Sequence, residues 1–102
     1  MFNQTSAVLT TPGNVTINSS NTLYTLCQYT VTNVNTNVVL RLEVTADGLN
    51  WFNADSAGDT TVTANGTNSF LLRQTPSFKQ RLVYVSQSGG TTAVVNVTFV
   101  TQ

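Results

Sequence analysis

The stretch 38–45 alternates strictly between two faces, and one of these faces is aliphatic: Val38, Leu40, Leu42 and Val44. A period of two residues is that of a β-strand with one face in a core. Asp47-Gly48 ends the alternation, and this dipeptide favours a tight hairpin turn because glycine accepts a positive φ. The pattern predicts a central hairpin, with Trp51 closing one end of the core; a surface binding platform built on Trp51 is the alternative.

Similar alternating or short apolar stretches recur along the chain, separated by turn residues. They predict strands at 15–17, 23–32, 60–64, 70–73, 78–86 and 93–101. In 23–32 both faces carry apolar residues, as in a strand that is covered on both sides or lies at an interface. So many short strands predict an all-β fold, a small antiparallel β-sandwich whose connectivity, immunoglobulin-like or jelly-roll, the pattern leaves open.

The first thirteen residues differ from the rest, because they hold few large apolar side chains. Phe2, Val8 and Leu9 stand among amides and hydroxyls, and Pro12-Gly13 ends the segment. Such a segment is either loose or docked on a neighbour. We therefore expect an N-terminal arm at 1–13 and a single β-sandwich domain at 14–102, and one domain fits a chain of 102 residues.

The surface is polar but almost uncharged. Four basic and four acidic residues give a formal net charge of zero, while the chain has 19 Thr and 12 Asn. Nucleic-acid binding requires clustered Lys or Arg, so no nucleic-acid partner is expected. The longest apolar run, 82–85, is too short to span a membrane, and no secretory signal opens the chain. We expect a protein that stays in the cytoplasm, or leaves it by lysis or within an assembly.

Candidate catalytic groups are sparse, and no enzyme activity or cofactor is expected. The chain has no His, which excludes Ser-His-Asp and Cys-His arrangements and His-based metal sites. Asn53, Asp55 and Asp59 offer oxygen ligands that suit calcium, but their spacing matches no EF-hand loop and predicts a solvated loop without metal. Cys27, the one cysteine, lies in an apolar strand and is predicted to be buried and inert.

Strand edges are poorly guarded against association. Soluble monomers protect the edges of their sheets with Lys, Pro or charge, and this chain has one Lys and two Pro. A net charge of zero also favours association. We therefore expect a homo-oligomer or a larger assembly in which partners cover these edges.

The stretch RLEVTADGLNW (41–51) resembles a pattern of small phage structural proteins, in which Ser/Thr-x-Asp-Gly-x-x-Trp follows a strand. Further points of likeness are the Thr-rich stretch 60–67, the strand start Arg81-Leu-Val-Tyr-Val and the Gly-rich turn with its Val-rich strand at 89–101. The resemblance covers about residues 38–101. Similar Asp-Gly-x-x-Trp hairpins also occur in galactose-binding-like and discoidin-like sugar-binding domains.

The phage resemblance implies a capsid decoration (cement) protein that binds and stabilises the phage head, or a small tail or fibre component. A single short domain with an arm and no fibrous repeat favours capsid decoration. The partner of such a protein would be the major capsid protein or another virion protein, its oligomer a trimer, and its location the capsid surface after assembly in the host cytoplasm. The sugar-binding resemblance implies instead a carbohydrate-binding or adhesin-type module of a tail or fibre. The candidates for contact with a partner are Phe2, Val8, Leu9, Trp51 and Phe52.

Overall fold

The computed structural model of the protein describes residues 3–20, 22–54, 58–73, 77–90 and 92–102. Within these ranges the chain forms β-strands and no helix, so none is found that could cross a membrane, and the all-β prediction is confirmed. The strands are β1 (Asn3–Leu9), β2 (Gly13–Asn18), β3 (Tyr24–Thr32), β4 (Asn37–Thr45), β5 (Phe52–Asn53), β6 (Thr60–Val62), β7 (Gly66–Arg73), β8 (Lys79–Ser88) and β9 (Val94–Thr101).

The strands form two antiparallel sheets that pack face to face, which confirms the predicted sandwich. Sheet A has the order β1-β9-β3-β7. Sheet B has the order β2-β8-β4-β5, and β6 also pairs with β4. β8 pairs with one edge of β4. The other edge of β4 is shared by two short strands, β5 beside Val44 and β6 beside Val39.

The connectivity is that of a jelly roll, which the sequence pattern left open. The first strand pairs with the last, and this nesting continues toward the middle of the sequence: β1 pairs with β9, β2 with β8, β3 with β7, and β4 with β5 and β6. The chain is thus one long antiparallel ribbon, wrapped so that most successive strands change sheet. The predicted central hairpin is the closed end of this ribbon.

The segment expected to be an N-terminal arm contains β1. Unlike an arm, β1 is a strand of sheet A and part of the sandwich. All seven residues of β1 pair with β9, from Asn3 opposite Thr101 to Leu9 opposite Val95. Ala7 and Leu9 pack against the core, because the pleat turns every second side chain of the strand inward. Phe2 lies outside the described residues.

The core consists of the inward side chains of both sheets, and the predicted alternation of the last strand is confirmed. Val95, Val97 and Phe99 are at most 1% exposed, while Asn96 between them faces solvent. Tyr84 is buried in the same core, where its hydroxyl donates a hydrogen bond to the carbonyl of Ala93 at 3.1 Å. A buried hydroxyl with a partner avoids the desolvation cost of an unpaired polar group.

Cys27 lies in the middle of this core and is predicted to be unreactive in the native protein. The residue is fully buried, and burial raises the pKa of its thiol to about 12, so the reactive thiolate is absent at neutral pH. A thiol reagent should label the native protein slowly and the denatured protein fast, as a time course followed by mass spectrometry would show. Equal rates in the two states would contradict a buried structural thiol.

Candidate functional site

The exposed apolar side chains concentrate at one end of the sandwich. We call this the apical end; β1, β3, β5 and β8 begin there and β2, β4, β7 and β9 end there. Among the described residues, eight large apolar side chains are exposed, and only Val8 lies in the other half of the sandwich. The apical set is Leu23, Tyr24, Leu26, Leu49, Phe52, Leu71 and Phe78.

Six residues of the apical set form two groups, and Leu23 lies in the connection before β3. Tyr24, Leu26 and Leu71 lie on the outer face of sheet A, where Leu26 is the register partner of both Leu71 and Val100. The sequence predicted that β3 is covered on both sides or lies at an interface, because both of its faces carry apolar residues. In the structure Cys27 is buried, while Tyr24 and Leu26 are exposed. The other group, with Leu49, Phe52 and Phe78, lies around the hairpin that joins β4 to β5.

A rigid turn positions Leu49 at the tip of this hairpin. The Asp47 carboxylate accepts hydrogen bonds from the backbone N–H groups of Leu49 and Asn50, both at 2.8 Å, and from the hydroxyl of Thr45 at 3.1 Å. These donors favour the charged carboxylate, so the pKa of Asp47 lies well below its usual range. Leu49 is 83% exposed on a turn that is fixed by hydrogen bonds, so its exposure is built into the fold.

Phe78 is held beside the same turn by its backbone. Its N–H donates to the carbonyl of Thr45 at 2.8 Å, and its carbonyl accepts from the N–H of Ser19 at 3.0 Å. A side chain added at Gly48, where φ is +81°, would come within 3.3 Å of the Phe78 ring. The ammonium of Lys79 lies 5.2 Å from the centroid of that ring, so a cation borders the apolar surface.

Trp51 lies on the outer face of sheet B, so its predicted place in the core is wrong. The ring is only partly buried, and the guanidinium carbon of Arg81 lies 4.0 Å from the ring centroid. Arg81 points outward because its neighbours Gln80 and Leu82 point inward, and a ring stacked on Arg81 must lie outside as well. The alternation could not reveal this, because Trp51 precedes β5 in a loop.

Arg81 also belongs to an ion cluster on that outer face. Glu43 binds Arg81 at 2.7 Å and Arg41 at 3.2 Å, and Arg41 binds Asp59 at 2.6 Å. The hydrogen bonds from Arg41 lower the pKa of Asp59. Two carboxylates balance two guanidinium groups, so the cluster joins β4, β8 and the segment before β6 without adding net charge.

The described residues offer little for acid–base or metal chemistry. A general acid at neutral pH needs a raised carboxyl pKa, whereas the pKa values of Asp47 and Asp59 are lowered. In the part of the chain that the structure describes, no group of three or more His, Cys, Asp or Glu could hold a metal ion. Of the suggested calcium ligands, Asp59 is bound by Arg41, and Asp55 lies outside the described residues.

The candidate contact residues do not all come together. Phe52 is 65% exposed at the apical end, near the partly buried Trp51. Val8 is 58% exposed at the opposite end of β1, and Leu9 is partly buried against the core.

Comparison with known proteins identifies a similar fold but no family. No family model and no curated protein matches the chain. Among solved structures, a protein of Bacillus endospore appendages, described as a novel family of disulfide-linked pili, superposes with a TM-score of 0.56 at 10% identity. The match covers 99% of this chain and 85% of that one. At this identity the likeness shows the β-sandwich fold alone, and Cys27, the one thiol of the present chain, is buried.

Proposed function

We propose that the protein is a structural subunit of a surface assembly and, more specifically, a virion protein that decorates and stabilises a phage head. The observation that carries the proposal is the apical end, where exposed Leu, Tyr and Phe side chains gather on the outer face of sheet A and around the hairpin that joins β4 to β5. Exposed apolar patches on a folded protein mark interaction sites, because burying them against a partner removes them from water. The structural role of the pilus protein with a similar fold is compatible with this proposal.

Binding of this kind requires no reaction and no cofactor. A protein that binds the assembled shell, and not the free capsid subunits, stabilises the shell by mass action. The partner would be the major capsid protein or another virion protein. The phage resemblance implies a trimer on the capsid surface, but the proposed role requires only that several copies cover the shell.

The experiment compares apical variants with a matched control at the other end of β1. We expect Leu49→Ser combined with Phe52→Ser to weaken binding at least tenfold, because truncating a central apolar anchor commonly costs more than about 1.4 kcal/mol. Binding is measured by co-sedimentation with empty shells assembled from the major capsid protein of the phage that the proposal implies. The Val8→Ser variant should bind like the wild type, because Val8 is also apolar and exposed but lies outside the apical end.

Two results would contradict the proposal. One is that wild-type protein does not sediment with the shells; the other is that Val8→Ser weakens binding as much as the apical variant. The sugar-binding alternative requires an open aromatic platform, and Arg81 stacks on Trp51. Glycan binding that is lost on Trp51→Ala while the protein stays folded would favour that alternative.

A further inference from the structure

In the part of the chain that the structure describes, no strand pairs with the outer side of β1 or of β7, so both edges of sheet A can accept another strand. At one edge β1 presents seven residues, NQTSAVL, without charge, proline or glycine. At the other edge β7 presents eight, GTNSFLLR, whose one charged residue is the last. Edges without such protection are templates for a further strand, because their outward N–H and C=O groups have no partner in the sheet.

Sheet B differs, because one of its edges is interrupted. β5 has two residues and β6 three, and they pair with separate parts of β4. The Arg41–Asp59 ion pair lies just before β6, so charge borders this edge as well. Short strands and charge are devices that discourage edge pairing, so sheet B is not suited to extension at this edge.

The directions of the strands make the two edges of sheet A complementary. Each of the pairs β1–β9, β9–β3 and β3–β7 is antiparallel, so β1 and β7 run in opposite directions. A second copy displaced along the sheet therefore brings its β1 antiparallel to β7 of the first copy. We propose that β7 of one copy pairs with β1 of the next, which extends sheet A from copy to copy.

Overlap and side-chain direction select one register for this contact. Outward residues must meet outward residues, and all seven residues of β1 are paired only when Leu71 lies opposite Gln4. This register places Ser69 opposite Ser6 and Gly66 opposite Leu9. It also continues the outer-face row of Gln4, Val100, Leu26 and Leu71 into the next copy.

The contact joins two different edges, so it does not close on itself by two-fold symmetry. Each strand is rotated by about 20 to 25° relative to its neighbour and lies about 4.8 Å from it. Because one copy adds four strands to the sheet, the next copy is rotated by roughly 80 to 100° and displaced by about 19 Å. Copies would add one after another, and the mean mass would rise with concentration. The inference concerns the assembly role proposed above, but its test uses no capsid shell, so the two proposals can fail separately.

The first test places charges at the predicted Ser6–Ser69 pair. Ser6→Lys with Ser69→Lys sets like charges opposite each other between copies, and we expect association to weaken roughly fivefold. Ser6→Glu with Ser69→Lys sets opposite charges there and should restore association to the wild-type level. Asn14→Lys with Ser86→Lys adds the same two positive charges at exposed positions of sheet B, away from sheet A, and should leave association nearly unchanged. Sedimentation velocity over a concentration series measures each constant.

The second test reports the register directly. Within one copy, Ser6 and Ser69 lie on opposite edges of sheet A with β9 and β3 between them, about 14 Å apart. In Ser6→Cys with Ser69→Cys, a disulfide between these positions must therefore join two copies, and oxidation should give a ladder of covalent oligomers. Ser6→Cys with Gln28→Cys, which keeps one edge cysteine and moves the other to β3, should give no ladder.

Three results would overturn the edge contact. The first is that the wild type stays a monomer at all accessible concentrations. The second is that it forms a trimer of fixed mass, which would leave the proposed capsid role intact. The third is that the like-charge and opposite-charge variants associate equally while circular dichroism shows both to be folded.

Discussion

Replacing Phe99 by Ala is expected to lower the free energy of unfolding by about 3 to 5 kcal/mol, the largest effect predicted for a single side chain. Phe99 is 1% exposed and lies in β9, the central strand that pairs with both β1 and β3. Truncation removes the apolar contacts of the ring and leaves a cavity that a closely packed core cannot fully close. Urea unfolding monitored by circular dichroism measures the change, with the slope of the transition as a check that two-state unfolding is kept.

Trp51→Ala is the matched comparison, because it removes a still larger ring. We expect a loss of only about 1 to 2 kcal/mol, since the partly buried ring contributes a cation–π contact with Arg81 and part of its burial. If Trp51→Ala destabilises the protein as much as Phe99→Ala, the ring belongs to the core and its outer-face position is refuted.

Gly89→Ala is expected to destabilise the protein by about 2 to 4 kcal/mol through backbone strain and a steric clash. Gly89 lies between β8 and β9 with φ at +117°, a conformation that an L side chain rarely adopts. A Cβ at this position would also overlap the side chain of Asn35, which lies in the connection between β3 and β4. The two connections are held together by a hydrogen bond from the Thr36 N–H to the Ser88 carbonyl at 3.1 Å, so neither can move away freely.

Gly66→Ala provides the control for the glycine prediction. Gly66 lacks a positive φ, and no atom lies within 4 Å of an added Cβ. The variant should be neutral or gain up to about 1 kcal/mol, because Ala restricts the unfolded chain without straining the native strand. Thermal melts of both variants against the wild type measure the difference, and equal stabilities of Gly89→Ala and Gly66→Ala would disprove the strain at Gly89.

Local pattern was sufficient for most of the strands and for much of their inner faces. The alternation in β9, and in β4 as far as Leu42, identifies the buried side chains because the pleat of a strand depends only on backbone geometry. Beyond Leu42 it does not, since Glu43 and Thr45 are buried and Val44 is only partly buried. The turn at Asp47-Gly48 was also predictable, since a positive φ and a side-chain acceptor act within a few residues. Hydrophobic period and turn chemistry therefore determined the fold class and most strand positions.

Local pattern failed where a position depends on distant partners. β1 was taken for an arm because its few apolar residues gain a core only through β9, more than eighty residues away along the chain. Trp51 was assigned to the core from its size, although its place is decided by Arg81 on a neighbouring strand.

The sequence by itself determined an all-β chain with a central hairpin, a nearly uncharged surface and poorly guarded strand edges. Only the tertiary structure decided the jelly-roll order, because long-range backbone pairing selects which strands are neighbours, and many orders satisfy the same alternation. It also decided that Leu49, Phe52 and Phe78 share one apical end. Phe78 is far from the other two in sequence, and Leu49 lies in a turn whereas Phe52 lies in β5. The physical reason is that a side chain's burial follows from the elements packed around it, and a one-dimensional period carries no information about those neighbours.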